Sequence, residues 1–187
     1  MSNTVVENTS TSVKKTWKID TAHTNINFAV AHMMISEVTG TFKEFEGTVT
    51  AAKEDFSDAV IDVTIKSASI NTHNPDRDAH LRSADFFDAE NHPVITFKST
   101  DVKARGANTL EITGDLTIRG ITHPVVLDTK FKGTAVNPWG HLIAVFKATT
   151  VIKRKEFGLK WNAALETGGF LVGDDVELTL NVEVIRQ

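Results

Sequence analysis

The residues whose types could do chemistry are arginines and histidines. Arg77, Arg82 and Arg154 are the cationic candidates, since a guanidinium presents fixed donors that fit a phosphate. Arg154 follows Phe146, Ala148, Thr150 and Ile152 in strand phase, which aims it at the mouth of any space those residues enclose. The competing reading is an ion pair with Asp76, Asp78 or Asp85 that pins a nearby helix. For Arg77 that structural role is the expected one. Seven histidines invite a metal test. His73 and His80 flank a helix start, while His23, His32 and His92 are scattered. No H-E-x-x-H occurs, and no His pair has zinc spacing with a third ligand nearby, so no metal site is assigned. His32 shares phase with Phe28 and Val30. It is either a hydrogen-bonded core histidine or a polar contact inside a cavity. The chain has no Cys, which excludes disulfides, thiolate chemistry and Cys-based metal sites. No G-x-S-x-G elbow is present. The spaced glycines of Gly114-Asp-Leu-Thr-Ile-Arg-Gly120 lie in a strand pattern rather than a phosphate loop. No catalytic residue is assigned, and none of these patterns requires a cofactor.

The elements that position these residues are strands. Ile26, Phe28, Val30 and His32 share one face of a run from Thr24 to Ile35, and Asn25, Asn27, Ala29 and Ala31 share the other. A second run covers about Val38 to Ala52, with Gly40 and Gly47 inside it as expected marks of bends or bulges. A third covers Ala59 to Ala68. Later runs are expected from Val94 to Arg105, Leu110 to Arg119, Val125 to Phe131, Leu142 to Arg154 and Val176 to Ile185. Turns at Gly106-Ala-Asn108 and Pro138-Trp-Gly140 separate some of them.

Between the third and fourth runs lies a different stretch, polar, then briefly helical, then aromatic. Asn74 is placed to cap a helix that has Pro75 at its first position and ends near Ala84. Asp76 and Asp78 then sit in the first turn, where the helix dipole favours carboxylates. The fold expected is all-β. One apolar face on each of about eight strands requires an antiparallel sheet around a single interior. Sandwich and barrel both satisfy this, but several runs are about 10 to 13 residues long, which is long for a sandwich. An eight-stranded antiparallel barrel with a short helical insertion as its plug or lid is therefore expected, and a container rather than a catalyst.

Composition agrees. At 187 residues the chain fits a flexible tail over 1–16 and one domain over 17–187. Eleven Phe and no Tyr suit a dry interior or an apolar cavity. The lumen candidates are Ile26, Phe28, Val30, Phe42, Phe45, Phe97, Phe131 and Phe146. Alternation alone leaves a filled core and a hollow one equally open. A net charge of −4 gives no reason to expect a nucleic-acid partner. No apolar run near the N-terminus forms a signal-peptide core, so a cytoplasmic location is expected, or a periplasmic one if a signal has been removed.

Several motifs, in order, resemble one bacterial family. They are Trp17-Lys-Ile-Asp20 with His23, Phe28-Ala-Val-Ala-His-Met33, Val38-Thr-Gly-Thr-Phe42 and Phe45-Glu-Gly47. Ser69-Ile-Asn-Thr72, Arg77-Asp-Ala-His-Leu-Arg-Ser83, Asp85-Phe-Phe-Asp88 and Pro93-Val-Ile-Thr-Phe97 follow. Gly114-Asp-Leu-Thr-Ile-Arg-Gly-Ile-Thr122, Arg154-Lys-Glu-Phe-Gly158 and Val172-Gly-Asp174 complete the set. Together they resemble the YceI-like proteins, polyisoprenoid-binding, lipocalin-like barrels. The resemblance implies a hydrophobic tunnel that holds a polyisoprenoid, an isoprenoid quinone or a fatty-acid-like chain. Arg154 is then the head-group candidate and His32 a weaker one. A transient membrane contact and a homodimer are compatible with that role. An enzyme acting on a lipid-like substrate and a metal-binding stress protein are the alternatives.

Overall fold

The computed structural model describes residues 13–166 and 168–187. Eleven strands build eight walls, because three of the walls are interrupted. β1 (Lys15–Ile19) and β2 (Asn25–His32) run in line along one edge of the last strand, β11 (Val172–Arg186). β3 (Ser36–Phe42) and β4 (Phe45–Ala51) form the second wall, and β5 (Val60–Lys66) with β6 (Ile70–Asn71) the third. β7 (Val94–Gly106), β8 (Thr109–Ile118), β9 (Ile121–Val136) and β10 (Leu142–Lys153) supply the rest before β11. Each wall pairs antiparallel with its sequence neighbour, and β1 closes the circle on β11 through Trp17↔Arg186 and Ile19↔Val184. The eight-stranded antiparallel barrel expected from the alternation is present. A closed meander removes the exposed edges that an open sheet of this length would carry.

Two details differ from the sequence expectation. Lys15 and Thr16, placed in the tail, pair with Ala51 and Thr50 of β4; the part of that tail before residue 13 lies outside the described residues. The second wall breaks at Lys43-Glu44, not at its glycines. Gly40 and Gly114 serve another purpose: a Cβ at either would overlap the ring of Phe28 or of Phe97. These glycines leave room for lumen aromatics to lie flat on the wall.

The helical insertion is α1 (Pro75–Arg82). The Asn74 side chain accepts the Arg77 N–H at 3.0 Å, which is the expected cap. α1 and the turns after it lie over one end of the barrel, the helix end. The segment between β4 and β5 covers the other, the loop end. There Phe56, 2% exposed, packs its ring on Trp17, Phe131 and Phe146 at centroid distances of 5.2, 5.3 and 5.0 Å. Phe56 holds this position with φ of 58°, a left-handed conformation that a bulky residue adopts only under tertiary constraint.

Candidate functional site

Inward side chains of all eight walls leave two apolar chambers. The loop-end chamber, about 150 Å³, is lined by Ile26, Val49, Phe97, Leu127, Phe146 and Leu180 among others. The helix-end chamber, about 140 Å³, is lined by Phe28, Val30, Phe42, Leu81, Phe86 and Val176 among others. Ile65, Leu116 and Leu178 line both, so the chambers meet at a common waist. An engineered apolar cavity of ~150 Å³ stays dry and takes up benzene, so each chamber is large enough for a slender apolar group. The core is therefore part packed and part hollow.

Seven of the sequence candidates line these chambers: Ile26, Phe97 and Phe146 at the loop end, Phe28, Val30, Phe42 and Arg154 at the helix end. Phe131 points inward but stacks on Phe146 at 5.1 Å as part of the Phe56 stopper. Phe45, opposite Ile65, is half-buried and packs against the core without lining a chamber. His32 does neither: it sits at the end of β2, beside the Ser36 hydroxyl at 3.3 Å and opposite Val172. Its phase matched Phe28 and Val30, but the β2–β3 hairpin begins there and carries the ring out of the lumen. Phe56 and the Phe86-Phe87 pair were not among the sequence candidates. A lone aromatic inside the charged run Lys53-Glu-Asp-Phe-Ser-Asp58 was the available signal for the first.

Arg154 is 4% exposed, and its donors are already occupied. Nε donates to the Gly173 carbonyl at 2.7 Å, Nη1 to those of Leu159 at 2.6 Å and Trp161 at 2.9 Å, and Nη2 to Val172 at 3.3 Å. Asp174 is the nearest carboxylate, 3.6 Å from Nη2. Burial pushes the guanidinium below its ordinary pKa, and Asp174 opposes that. The expected head-group role therefore gives way to a structural one, because the guanidinium holds four main-chain carbonyls in place. The expected partners Asp76, Asp78 and Asp85 also fail, since none of them pairs with an arginine among the described residues. Arg82 donates instead to the Ala68 and Ile70 carbonyls at 2.7 and 3.0 Å. Arg77 donates to the Thr72 hydroxyl and carbonyl at 2.8 and 2.9 Å. Buried Asp78 accepts the Thr72 N–H and hydroxyl, at 2.8 and 2.6 Å, from the other side. Arg119 donates to the Phe86 carbonyl at 2.9 Å, fixing the turn that carries both phenylalanines.

One group of possible metal ligands stands among the described residues, Asp20, His23 and Glu183. The His23 ring lies 2.8 Å from Asp20, and Asp20 also accepts the Ala22 N–H at 2.9 Å. The hydrogen bond to His23 holds the Asp20 carboxyl below its ordinary pKa and raises that of His23. This cluster, with His23 exposed and the two carboxylates half-buried, lies outside the chambers.

The model of the YceI-like domain family matches residues 17–184. The protein YceI of Escherichia coli is 39% identical over 178 residues, 94% of this chain and 90% of its own. Among solved structures, Burkholderia cenocepacia BcnA matches with a TM-score of 0.77 at 23% identity, over 88% of this chain and 98% of its own. A polyisoprenoid binding domain from Saccharophagus degradans, implicated in plant cell wall breakdown, gives 0.69 at 13% identity, over 91% and 98%. The last two likenesses are likenesses of fold.

Proposed function

The chain belongs to the YceI-like family, and on that premise we propose that its barrel binds a single long-chain amphiphile and stores or carries it. The class is a polyisoprenoid, an isoprenoid quinone or a fatty-acid-like lipid. The observation that carries this reading is the pair of apolar chambers joined at Ile65, Leu116 and Leu178. Along β11 the inward residues run from Val176 through Leu178 to Val184. At about 3.3 Å per residue this is ~26 Å of strand, or ~20 Å along the axis of a barrel with ordinary tilt. A space of that length and apolar character fits a slender chain better than a compact ligand. That a structural neighbour is described as a polyisoprenoid binding domain is consistent with the class.

Magnitudes favour a carrier. Burying each CH₂ contributes about 0.8 kcal/mol against water. A long polyprenyl chain would on that sum exceed the ceiling of about −20 kcal/mol for non-covalent affinity. In a cell the alternative to the barrel is a membrane, where the chain is already out of water. Net transfer between the two is then small and reversible. The test is to extract the purified protein with organic solvent and identify released lipid by mass spectrometry. A stoichiometric long-chain amphiphile supports the reading. Its absence, together with no uptake of added chains by the folded protein, rejects it. Val30→Trp, which fills the helix-end chamber, should remove binding while cooperative melting persists.

A further inference from the structure

The barrel wall has a gap. The β9–β10 ladder runs from Leu142↔Val136 to Thr149↔Asp128, and among the described residues no pair continues it. Beyond that point β9 stays paired to β8 as far as Ile118↔Ile121, and β10 stays paired to β11 as far as Lys153↔Asp175. The facing stretches, 122–127 of β9 and 150–153 of β10, are therefore hydrogen-bonded on one side only. A surface pocket occupies the space between them, bounded at its far end by Phe157 and by His123, whose ring lies 3.2 Å from the Glu156 carbonyl.

Pro124 accounts for part of the gap. Arg119 (φ 52°) and Gly120 (φ 72°) form the two-residue turn between β8 and β9, which makes Ile118 and Ile121 a hydrogen-bonded pair. By alternation Asp115 and Pro124 are a non-hydrogen-bonded pair, so the nitrogen of Pro124 faces β10. That nitrogen carries no hydrogen, and a proline is tolerated in a sheet where no ladder bond is needed.

The gap has a mixed lining, with Val125, Val126, Val151 and Ile152 beside His123, Lys153 and Glu156. Inside, Val125 and Thr150 line both the pocket and the loop-end chamber, and Ile152 lines the pocket and the helix-end chamber. Outside, Val126 and Val151 are 45% and 57% exposed. Farther along the same strands the outward positions are Asp128, Lys130 and Lys132 on β9 and Lys147 and Thr149 on β10. The dent over β11, β2 and β3, also of mixed lining, differs in that the β2–β3 ladder beneath it is unbroken. A chain moving through either end would have to displace a stopper, Phe56 or the Phe86-Phe87 turn.

The geometry points to the β9–β10 gap as a lateral portal through which the hydrocarbon chain of the amphiphile slides into the lumen. This rests on the lipid-carrier reading above. The head group remains outside, where it needs no charged partner in the lumen.

The chain has no Cys, so Val126→Cys with Val151→Cys places a single disulfide where the ladder would continue. The probe is cis-parinaric acid, a slender fluorescent chain, followed by stopped-flow uptake and by release to phosphatidylcholine vesicles. The disulfide-closed form should take up and release it about tenfold more slowly than the reduced form, at equal equilibrium affinity, because a gate alters rates alone. Pro124→Val, which restores the donor, should slow both rates about threefold without a disulfide. Wild-type rates in the verified disulfide form and in Pro124→Val overturn the portal and place access at an end of the barrel. A wild-type protein that takes up no probe and yields no lipid on extraction fails the carrier reading itself, and the portal with it.

Discussion

At the loop end of the barrel Phe56 closes the lumen by packing its ring among Trp17, Phe131 and Phe146. At the helix end Arg82 closes it by tying α1 to the Ala68 carbonyl, and Arg119 and Arg154 by holding the carbonyls of Phe86 and Leu159. The first closure is non-directional, and its strength follows the apolar area and volume it fills. The second is directional, and its strength follows how many buried carbonyls lose a donor when it is broken. The contrast shows that a buried guanidinium beside an apolar cavity is not by itself a ligand site, since its donors must first be counted against the surrounding backbone.

The largest expected effect is at the loop end. Phe56→Ala should cost about 3 to 5 kcal/mol in urea unfolding, the range for emptying a buried Phe site. The conformation sharpens this. At φ 58° an alanine still carries a left-handed strain of about 1 kcal/mol, which glycine escapes. Phe56→Gly should therefore be no less stable than Phe56→Ala, the reverse of the order in an ordinary strand. A near-neutral Phe56→Ala would show that the aromatic stopper does not hold the loop end.

Next comes the main arginine of the helix end. Arg154→Leu leaves the carbonyls of Leu159, Trp161 and Gly173 without that donor, each orphan costing about 1 to 3 kcal/mol where water cannot reach it, while the Val172 carbonyl keeps the Asn162 amide at 2.8 Å. With water reaching some of them, a loss of about 3 kcal/mol is expected. Arg154→Lys should recover only part of it, because an ammonium cannot span carbonyls that a planar fork reaches together. Binding of head-bearing and plain hydrocarbon chains should fall alike. Selective loss of the head-bearing ones at an unchanged melting temperature would return the guanidinium to the ligand. Asn74→Ala removes the α1 cap and should cost about 1 kcal/mol, the usual value for such a cap. Amide exchange should rise within α1 and not at Phe56.

Much of this was legible in the sequence because burial imposes a period of two. Leu110, Ile112, Leu116 and Ile118 are buried as their alternation required. Asn74 and Pro75 marked the helix start to the residue. What escaped was whatever depends on a distant segment. β1 has only five residues, too few to show a pattern beside the polar stretch before it. Arg154 was in phase with the lumen, yet its partners lie up to nineteen residues away on loops whose path no local pattern reveals. The wall gap had one local sign, Pro124, but placing that nitrogen toward β10 required the register and the turn type.

The smallest effect concerns the Asp20–His23 clip, on the loop-end half of the wall. Its hydrogen bond raises the His23 pKa above 6.5 and lowers that of Asp20 below 3.8. A raised histidine stabilises the fold fully below its unfolded value, and the gain is lost as pH rises through the folded value. A lowered carboxyl stabilises above its unfolded value, and the gain is lost as pH falls through the folded one. The clip should therefore contribute most between about pH 4 and 6.5. NMR titration should put the His23 midpoint above 6.5 and return it toward 6.5 in Asp20→Asn. Within that window Asp20→Asn should lower the melting temperature only slightly, because His23 is solvated and exposed pairs are screened. Above the folded midpoint of His23 the difference should shrink further. If Asp20→Asn cost as much as Phe56→Ala, the loop-end half would depend on charge as well as on apolar packing, and the contrast with the helix end would fail.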